Sequence, residues 1–318
     1  MSIVLSRREL LIRAAAFVVT ASQPRTKIDF DVPAGACDCH THIFGDPRRF
    51  PMTPSRVYTP EQASVEEMRT LHRALHMDRV VIVQPSIYGT DNACTFDAVR
   101  QLGSRARAVA VIDVQAPSAS DTWLADMDRA GVRGIRLNLE TSGIADPSVG
   151  SQRVRAAIDR LRGSRWHIQM NTRLLMVDAI RAQVAGAPMR FVFDHFGGAQ
   201  APLGLDQPGF RSLLDLVRSG SAYVKISGAY RSSTQAPHYA DVVPFAKALI
   251  AANPQRILWG TDWPHPDSAT VPGRKNTDLA PLLQIDDGAL CNQLAVWAPD
   301  AALRTRILVQ NPAELYGF

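Results

Sequence analysis

The stretch CDCHTHIFGDP, residues 37–47, places two histidines, His40 and His42, two positions apart in an otherwise apolar run. Side chains two positions apart in a β-strand point to the same face. The two imidazoles are therefore expected to face the same way, where they could either bind a metal ion or hydrogen-bond to a substrate carbonyl. Cys37 and Cys39 have the opposite parity and are expected to face outward, onto covering helices.

Further β-rich runs follow this one, and each is succeeded by a stretch of helical character. Together with 36–44, the predicted strands are 79–85, 107–114, 134–140, 167–172, 190–197, 222–228 and 256–265. Helical patterns between them include 64–76, 154–163 and 242–252. Repeated strand–helix alternation predicts parallel strands buried under helices. The sequence thus predicts an α/β protein with a single-domain (β/α)8 TIM barrel over residues 26–318. A doubly wound sheet is the alternative, but it lacks a glycine-rich phosphate loop here.

The composition is that of a globular enzyme. The chain has 318 residues, a net charge of +5, 46% hydrophobic residues and 20% charged residues. No apolar run reaches the ~18 residues of a membrane span, and the basic residues are too scattered for a nucleic-acid patch. The four cysteines form no CxxC pair, so they are expected to be buried thiols.

The N-terminus differs in character from the rest. A twin arginine, Arg7-Arg8, is followed by a short, weakly apolar segment that ends in small residues at Thr20 and Ala21. This layout is typical of a twin-arginine export signal and predicts a periplasmic protein, although a further arginine interrupts the apolar part. The alternative is a disordered or helical basic N-terminus on a cytoplasmic protein. Residues 1–25 are excluded from the predicted fold in either case.

Polar residues end or follow most of the predicted strands. Barrel enzymes carry their catalytic groups at the C-terminal ends of the strands, and buried polar groups are unfavourable unless they are paired or used. The convergence of such residues from separate strands predicts an active site formed by His40, His42, Ser86, Arg136, Asn171, His195, Arg231 and Asp262.

Several motifs resemble the amidohydrolase superfamily, in its amidohydrolase 2 branch. They are DCHTHIFG, FDHFGG, GTDWPHP and the terminal NPAELYGF, and the resemblance runs from about residue 30 to the end. Within the branch, QPSIYGTDN (84–92) and VKISGAYR (224–231) resemble the 2-pyrone-4,6-dicarboxylate lactonase group and related lactone hydrolases.

Most of the superfamily binds one or two divalent metals, and the resemblance implies which residues would do so here. A zinc or manganese ion, if present, would be held by His40, His42, His195 and Asp262. The fifth-strand ligand position is Asn171, and Arg136 lies nearby, so no metal is favoured. His167 lies four residues before Asn171, roughly 13 Å deeper at about 3.3 Å per residue, too deep to ligate.

The lactonase resemblance implies a different use of these residues. The three histidines would donate hydrogen bonds to the lactone carbonyl, and Asp262 would activate water. The positions of Arg136 and Arg231 imply contacts to substrate carboxylates, and those of Ser86 and Tyr58 imply hydrogen bonds to the substrate.

This sequence departs from the lactonase pattern at three places. Ser142 and the pair Gly197-Gly198 stand where the group has arginines, and Asn171 stands where it has tyrosine. The pocket therefore has fewer cations than a dicarboxylate requires. A monocarboxylate lactone, or a sugar-acid lactone with hydroxyls for Asn171, is expected instead.

The remaining histidines receive simpler interpretations. His72 and His76 are spaced i, i+4 on a predicted helix without an acidic partner motif, and are expected on a solvated face. His238 is expected in a loop that lines the entrance. His265, two residues past Trp263, is a candidate substrate contact.

The sequence thus predicts a metal-independent lactone hydrolase that acts on a small anionic lactone. Three alternatives remain open: a divalent-metal-dependent hydrolase or decarboxylase of the same superfamily, a sugar-acid lactone isomerase, and a non-catalytic organic-acid binding protein. The oligomeric state is not predicted.

Overall fold

A parallel sheet forms the centre of the molecule. The computed structural model describes residues 21–115, 121–268 and 271–318, and within them eight parallel strands pair in sequence order. The strands are β1 (Cys37–Thr41), β2 (Arg79–Val83), β3 (Ala106–Ala110), β4 (Val132–Asn138), β5 (His167–Asn171), β6 (Phe191–Phe193), β7 (Ala222–Ser227) and β8 (Ile257–Gly260). A short parallel ladder, Thr59–Pro60 with Leu279–Ala280, lies outside this sheet.

The first and last strands approach each other through the segment after β8. The His42 amide donates to the Trp263 carbonyl at 2.8 Å, and the Asp262 amide donates to the His40 carbonyl at 2.9 Å. Thr41 and Trp263 form a parallel bridge. The sheet is therefore a nearly closed barrel, and the predicted single-domain (β/α)8 architecture is confirmed.

Helices cover the outer face of the sheet. The first, α1 (Val65–Leu75), begins with a capping box in which Ser64 and Glu67 satisfy each other's backbone amides. The fourth begins well before the predicted residue 154, because Asp146 caps it and Pro147 suits its first turn. The other helices are α2 (Ala93–Leu102), α3 (Asp121–Arg129), α4 (Pro147–Arg160), α5 (Leu174–Ala185), α6 (Phe210–Arg218), α7 (Ala229–Ser232), α8 (Val243–Ala252), α9 (Asp287–Trp297), α10 (Ala301–Thr305) and α11 (Asn311–Tyr316).

The inside of the barrel has its own apolar cluster. Cys37 and Cys39 belong to it, together with valines of β2 and β3 and with Tyr316 from the C-terminal helix. The prediction that these two cysteines face outward is wrong. A register shift between Asp38 and Thr41 in the β1–β2 ladder interrupts the alternation, so that Cys39 and His40 both face the interior. All four thiols are buried and free, as predicted.

His72 is not on a solvated face, contrary to the prediction. Its side chain is buried between α1 and β1, and its Nε2 lies 3.2 Å from Asp38 Oδ2. The Asp38 carboxylate also accepts hydrogen bonds from the Thr261 amide and hydroxyl, so it joins β1 to the segment after β8. His76, at the C-terminal end of α1, is exposed as expected.

The chain already packs on the barrel at residue 21, before the predicted boundary at residue 26. Ala21 is buried, and the Ser22 carbonyl accepts a 3.1 Å hydrogen bond from Trp263 Nε1. The twin arginine Arg7-Arg8 lies outside the described residues. Among the helices of the described ranges, none has both the length and the apolar character needed to cross a bilayer.

Candidate active site

A cavity of about 730 Å³ opens at the C-terminal end of the barrel. Most of the residues that the sequence assigned to the site line it. They are His42, Tyr58, Ser86, Arg136, Asn171, His195, Arg231 and Asp262. His40 lies directly beneath this lining and is fully buried. The tertiary fold therefore brings residues from seven of the strands and their following loops to one place.

The two residues at the ends of β6 and β8 have an unusual backbone. His195 has a φ of +47° and Asp262 a φ of +67°, in the left-handed region that side chains other than glycine rarely adopt. Gly228 lies between them: a Cβ there would be 3.1 Å from His195 Nδ1 and 3.2 Å from Asp262 Oδ2. Such strained positions cluster at functional sites. This turn at His195 also ends β6 at Phe193, earlier than the predicted residue 197.

The two carboxylate oxygens of Asp262 have different surroundings. Oδ2 accepts hydrogen bonds from Tyr230 Oη at 2.6 Å and from Arg231 Nε. Oδ1 is buried and has no hydrogen-bond partner among the residues that the structure describes. It faces three imidazole Nε2 atoms, at 3.6 Å from His40, 3.7 Å from His42 and 3.7 Å from His195. One oxygen is thus fixed, and the other is free to accept a proton in a cage of imidazoles.

The charge states of these groups follow from burial and from neighbouring cations. Burial by itself would raise the pKa of Asp262, but the Arg231 guanidinium and the facing imidazoles outweigh it and hold that pKa well below its usual range. Burial lowers the pKa of His42 to about 3 and that of His195 to about 4. At neutral pH the site therefore holds an ionised carboxylate and neutral imidazoles.

A buried ion pair that the sequence analysis missed forms part of the cavity wall. Nε and Nη2 of Arg136 each lie 3.1 Å from Asp194 Oδ2. Asp194 Oδ1 lies 3.2 Å from His40 Nδ1. The prediction assigned Arg136 to a substrate carboxylate, whereas here two of its nitrogens are bound to Asp194. The signal was available, since Asp194 directly precedes His195 in FDHFGG.

Lys225 is the second residue that the sequence analysis missed. It lies on β7 inside the barrel and is fully buried. Its Nζ lies 2.7 Å from Gln169 Oε1, 3.2 Å from His40 Nδ1 and 3.5 Å from Asp194 Oδ1. Alternation along VKISGAYR would have placed it on the inner face of the strand.

Some of the smaller polar residues line the cavity, and others hold its surrounding loops in place. Ser86 and Tyr58 both line the cavity. Asn171 also lines it, but its Oδ1 accepts hydrogen bonds from the Thr141 amide at 3.2 Å and the Thr141 hydroxyl at 2.7 Å. Asn171 therefore holds the loop after β4 in place.

His265 lies outside the cavity. It is fully buried, its Nε2 is 3.0 Å from Asp287 Oδ2, and its Nδ1 is 3.3 Å from Tyr230 Oη. The predicted substrate contact does not match this geometry. His265 instead supports Tyr230, which in turn holds Asp262.

A charged pair, Arg173 and Glu140, lies at the rim. Arg173 Nε is 3.1 Å from Glu140 Oε1, both residues line the cavity, and the Arg173 side chain is 75% exposed. Arg173 is an additional cation that the comparison of strand ends did not include. It lies in the loop after β5, close to the Ser142 position at which the sequence lacks an arginine.

The donor atoms of the site are spaced closely enough to hold a divalent ion. Two groups qualify, His40 with His42 and Asp262, and His40 with Asp194 and His195. In the first group the two Nε2 atoms are 3.3 Å apart and lie 3.6 and 3.7 Å from Asp262 Oδ1. Ligands of a tetrahedral zinc at about 2.0–2.1 Å would be roughly 3.4 Å apart. Their positions therefore fit one ion.

Residues 37–318 match the family described as amidohydrolase. This chain belongs to the amidohydrolase family. It is 36% identical over 297 residues to a 4-sulfomuconolactone hydrolase of Rhizobium radiobacter, with 91% of this chain and 92% of the relative covered. It is 34% identical over 300 residues to a 2-pyrone-4,6-dicarboxylate hydrolase of Comamonas testosteroni, with coverage of 92% and 93%.

Two further similarities concern an isomerase and a solved structure. A D-galactarolactone isomerase of Agrobacterium fabrum is 31% identical over 288 residues, with 89% of this chain and 91% of the relative covered. An apo crystal structure from Agrobacterium tumefaciens superimposes with a TM-score of 0.74 at 28% identity, covering 93% of this chain and 98% of that one. The resemblance noted from the sequence motifs is thus confirmed.

Proposed function

We propose that this protein hydrolyses a small anionic lactone with a water molecule activated by Asp262. The observation that carries the proposal is the free Oδ1 of Asp262, buried and facing three neutral imidazoles while Oδ2 is held by Tyr230 and Arg231. The lactone hydrolase predicted from the sequence agrees with the two relatives that are named for lactone hydrolysis.

The reaction can be written with the groups that are present. Asp262 Oδ1 removes a proton from water as the water oxygen bonds to the lactone carbonyl carbon. Imidazole N–H donors stabilise the charge that develops on the carbonyl oxygen, an effect worth about 3–4 kcal/mol for one such donor in hydrolases. The ring C–O bond then breaks, and the proton passes from Asp262 to the leaving alkoxide. The product is a hydroxy acid.

The cations of the cavity support an anionic substrate. Arg231 directs Nε to Asp262, while its Nη1 lies 3.4 Å from Ser268 Oγ at the cavity wall. Its remaining N–H groups can bind a carboxylate in the fork geometry that arginine favours. Arg173 at the rim can interact with a second anionic group. With Arg173 as an additional cation, a lactone with one acidic group close to the ring and another at a distance fits this arrangement, in place of the monocarboxylate expected from the sequence.

The experiment is an assay of purified protein with a panel of carboxylate-bearing lactones. Asp262→Asn keeps the shape of the side chain but removes the base, so kcat/KM should fall about 10²–10⁴-fold. Asp215→Asn, on the exposed surface of α6, is the matched control and should retain wild-type activity. An Asp262→Asn variant that keeps more than a tenth of the activity would overturn the proposal.

The second candidate is a hydrolase that uses one divalent ion, favoured by the spacing of its donor atoms. His40, His42, His195 and Asp262 would hold the ion, which would polarise the carbonyl as a Lewis acid. Elemental analysis, followed by chelation and an activity assay, separates the two candidates. Activity that is lost on chelation and restored by zinc or manganese would establish the metal-dependent candidate.

The similarity to a lactone isomerase supports a third candidate, and the mass of the product distinguishes it. Hydrolysis adds one water to the lactone, whereas isomerisation leaves the mass unchanged. If no member of the panel is converted although several bind, the function would be that of an organic-acid binding protein.

Export is a separate proposal that rests on the Arg7-Arg8 pair in the sequence. Fractionation of cells that produce the full chain should find the protein in the periplasm. A variant with both arginines replaced by lysine should remain in the cytoplasm. Equal distribution of the two proteins would contradict export by this route.

A further inference from the structure

Lys225 is a cation inside the barrel that the proposed reaction does not use. It is fully buried on β7, 3.2 Å from His40 Nδ1 and 2.7 Å from Gln169 Oε1. Burying an ammonium group away from water is unfavourable unless its hydrogen bonds are satisfied. The N–H groups of Lys225 must therefore be hydrogen-bonded to the groups that surround it beneath the imidazoles.

Two groups compete for His40 Nδ1. Lys225 Nζ and Asp194 Oδ1 both lie 3.2 Å from it. Lysine offers only donors and a carboxylate only acceptors, so the two groups favour opposite states of the ring nitrogen. Despite this distance, Asp194 Oδ1 has no hydrogen-bond partner among the described residues. Lys225 Nζ lies in hydrogen-bonding geometry with Nδ1, and an ammonium in that place can only donate.

His42 has the opposite arrangement. Its Nδ1 lies 2.7 Å from the Val83 carbonyl oxygen, which can only accept. The proton of neutral His42 is therefore on Nδ1, and its Nε2 carries a lone pair. The Nε2 atoms of His40 and His42 are 3.3 Å apart. A proton on His40 Nε2 makes this pair complementary, with one donor and one acceptor.

We propose that Lys225 is a positioning residue that keeps the ring proton of His40 on Nε2. His40 then acts as a hydrogen-bond donor at the centre of the site and does not offer a lone pair to a metal ion. The donor atoms of His40, His42 and Asp262 have the spacing for an ion. In this tautomer, however, His40 Nε2 carries a proton and offers no lone pair to the ion. The catalytic consequence rests on the proposed lactone hydrolysis, whereas the tautomer itself does not.

This role requires the ammonium form of Lys225, because an ammonium carries only N–H donors whereas a neutral amine could also accept from Nδ1. Burial lowers the pKa of Lys225, while the Asp194 carboxylate, 3.5 Å from Nζ, opposes that effect and favours the ammonium. The tautomer of His40 thus depends on the charged amine and on its position on β7.

The test compares wild-type protein with Lys225→Met by NMR, with ¹⁵N-labelled histidine and no substrate. Long-range ¹H–¹⁵N correlations identify which ring nitrogen carries the proton. The wild-type His40 should show a protonated Nε2. In Lys225→Met the proton should move to Nδ1, where Asp194 is the remaining neighbour. Ile226→Val, a buried change on the helix-facing side of the same strand, is the packing control and should keep the wild-type pattern.

Zinc binding gives a second measurement. Changes to groups that hold a metal-ligating histidine alter metal affinity by about 10–100-fold, and here the loss of Lys225 should raise the affinity by at least about tenfold. Competition with a fluorescent zinc indicator measures it for wild type, Lys225→Met and Ile226→Val. Lys225→Leu, which also lacks an N–H donor, replaces Lys225→Met if the methionine variant does not fold.

The outcomes separate this proposal from the lactone assay. A His40 that carries its proton on Nδ1 in wild type, or an unchanged tautomer and zinc affinity in Lys225→Met, would overturn it whatever the activity. A shifted tautomer together with inactivity on every lactone would support the role of Lys225 and contradict the proposed reaction.

Discussion

Arg136 and Asp194 form an ion pair in the wall of the active-site cavity, with two guanidinium nitrogens each 3.1 Å from one carboxylate oxygen. Both side chains are buried, with exposures of 6% and 1%. His40, Lys225 and Arg136 together outweigh the burial of Asp194 and hold its pKa well below the usual range. This pair therefore supports the imidazole cluster from below.

Removal of Arg136 should destabilise the fold. Arg136→Met leaves the buried Asp194 carboxylate without its main partner, and breaking such pairs typically lowers the free energy of unfolding by about 3–5 kcal/mol. Urea denaturation of the variant measures the change. Lys225 Nζ lies 3.5 Å from Asp194 Oδ1 and still partly neutralises this carboxylate in the variant. The loss should therefore be at the lower end of that range.

The double variant Arg136→Met, Asp194→Asn is the control. Neutralising Asp194 removes the unpaired charge, so the double variant should be more stable than Arg136→Met alone. Strict additivity of the two single changes would show that the pair is not coupled.

Arg173 should affect the binding of substrates with two anionic groups. Its side chain is largely exposed, so its attraction for an anion is worth up to about 1 kcal/mol, which corresponds to at most about a fivefold change in KM. Arg173→Met should raise KM for a dianionic lactone and leave a monoanionic one nearly unchanged, while Glu140→Gln should lower KM for both.

Salt and a matched arginine control this prediction. The effect of Arg173→Met should shrink at high ionic strength, because exposed charges are screened. Arg181→Met, on the outer face of α5, should leave both KM values unchanged. Equal effects on monoanionic and dianionic lactones would contradict a role for Arg173 in recognising a second anion.

His167 should make the protein sensitive to acid. It is buried at the start of β5, neither ring nitrogen has a hydrogen-bond partner within the described part of the chain, and burial lowers its pKa to about 3. The unfolded chain binds a proton at this residue below about pH 6.5, whereas the folded chain does not until far lower pH. Stability due to this residue is therefore complete above pH 6.5 and is lost as the pH falls below it.

The variant His167→Leu tests this linkage. Its stability relative to wild type should improve by about 2 kcal/mol between pH 7 and pH 5, at about 1.4 kcal/mol for each pH unit below 6.5. Chemical denaturation at the two pH values gives the difference. Met170→Leu, buried on the same strand but not titratable, should show the same stability difference from wild type at both.

Tyr316 should contribute to stability through its ring and not through its hydroxyl. The ring packs inside the barrel against His167, at a centroid distance of 5.3 Å, while none of the described residues forms a hydrogen bond with the buried hydroxyl. Tyr316→Phe should therefore be neutral or slightly stabilising. Tyr316→Ala should lower the free energy of unfolding by about 3–5 kcal/mol because it leaves a cavity. Thermal and urea unfolding of both variants measure this, and a large loss in Tyr316→Phe would contradict it.

Local patterns in the sequence were enough to predict the architecture and the centre of the site. Each of the predicted strands overlaps an observed one, because alternation of β-rich and helical runs is a property of neighbouring residues. The C-terminal ends of parallel strands meet at one face of a barrel. The sequence alone therefore predicts that His40, His42, His195 and Asp262 lie together.

The partners of these residues were decided by the tertiary structure alone. The register shift after Asp38 turned Cys39 inward against the expected alternation. Asp194 bound the arginine that had been assigned to the substrate, and Asp287 bound His265. Periodicity predicts which face a side chain occupies, but not which residue lies opposite. Lys225 reaches His40 across 185 positions of chain, and only closure of the barrel determines that contact.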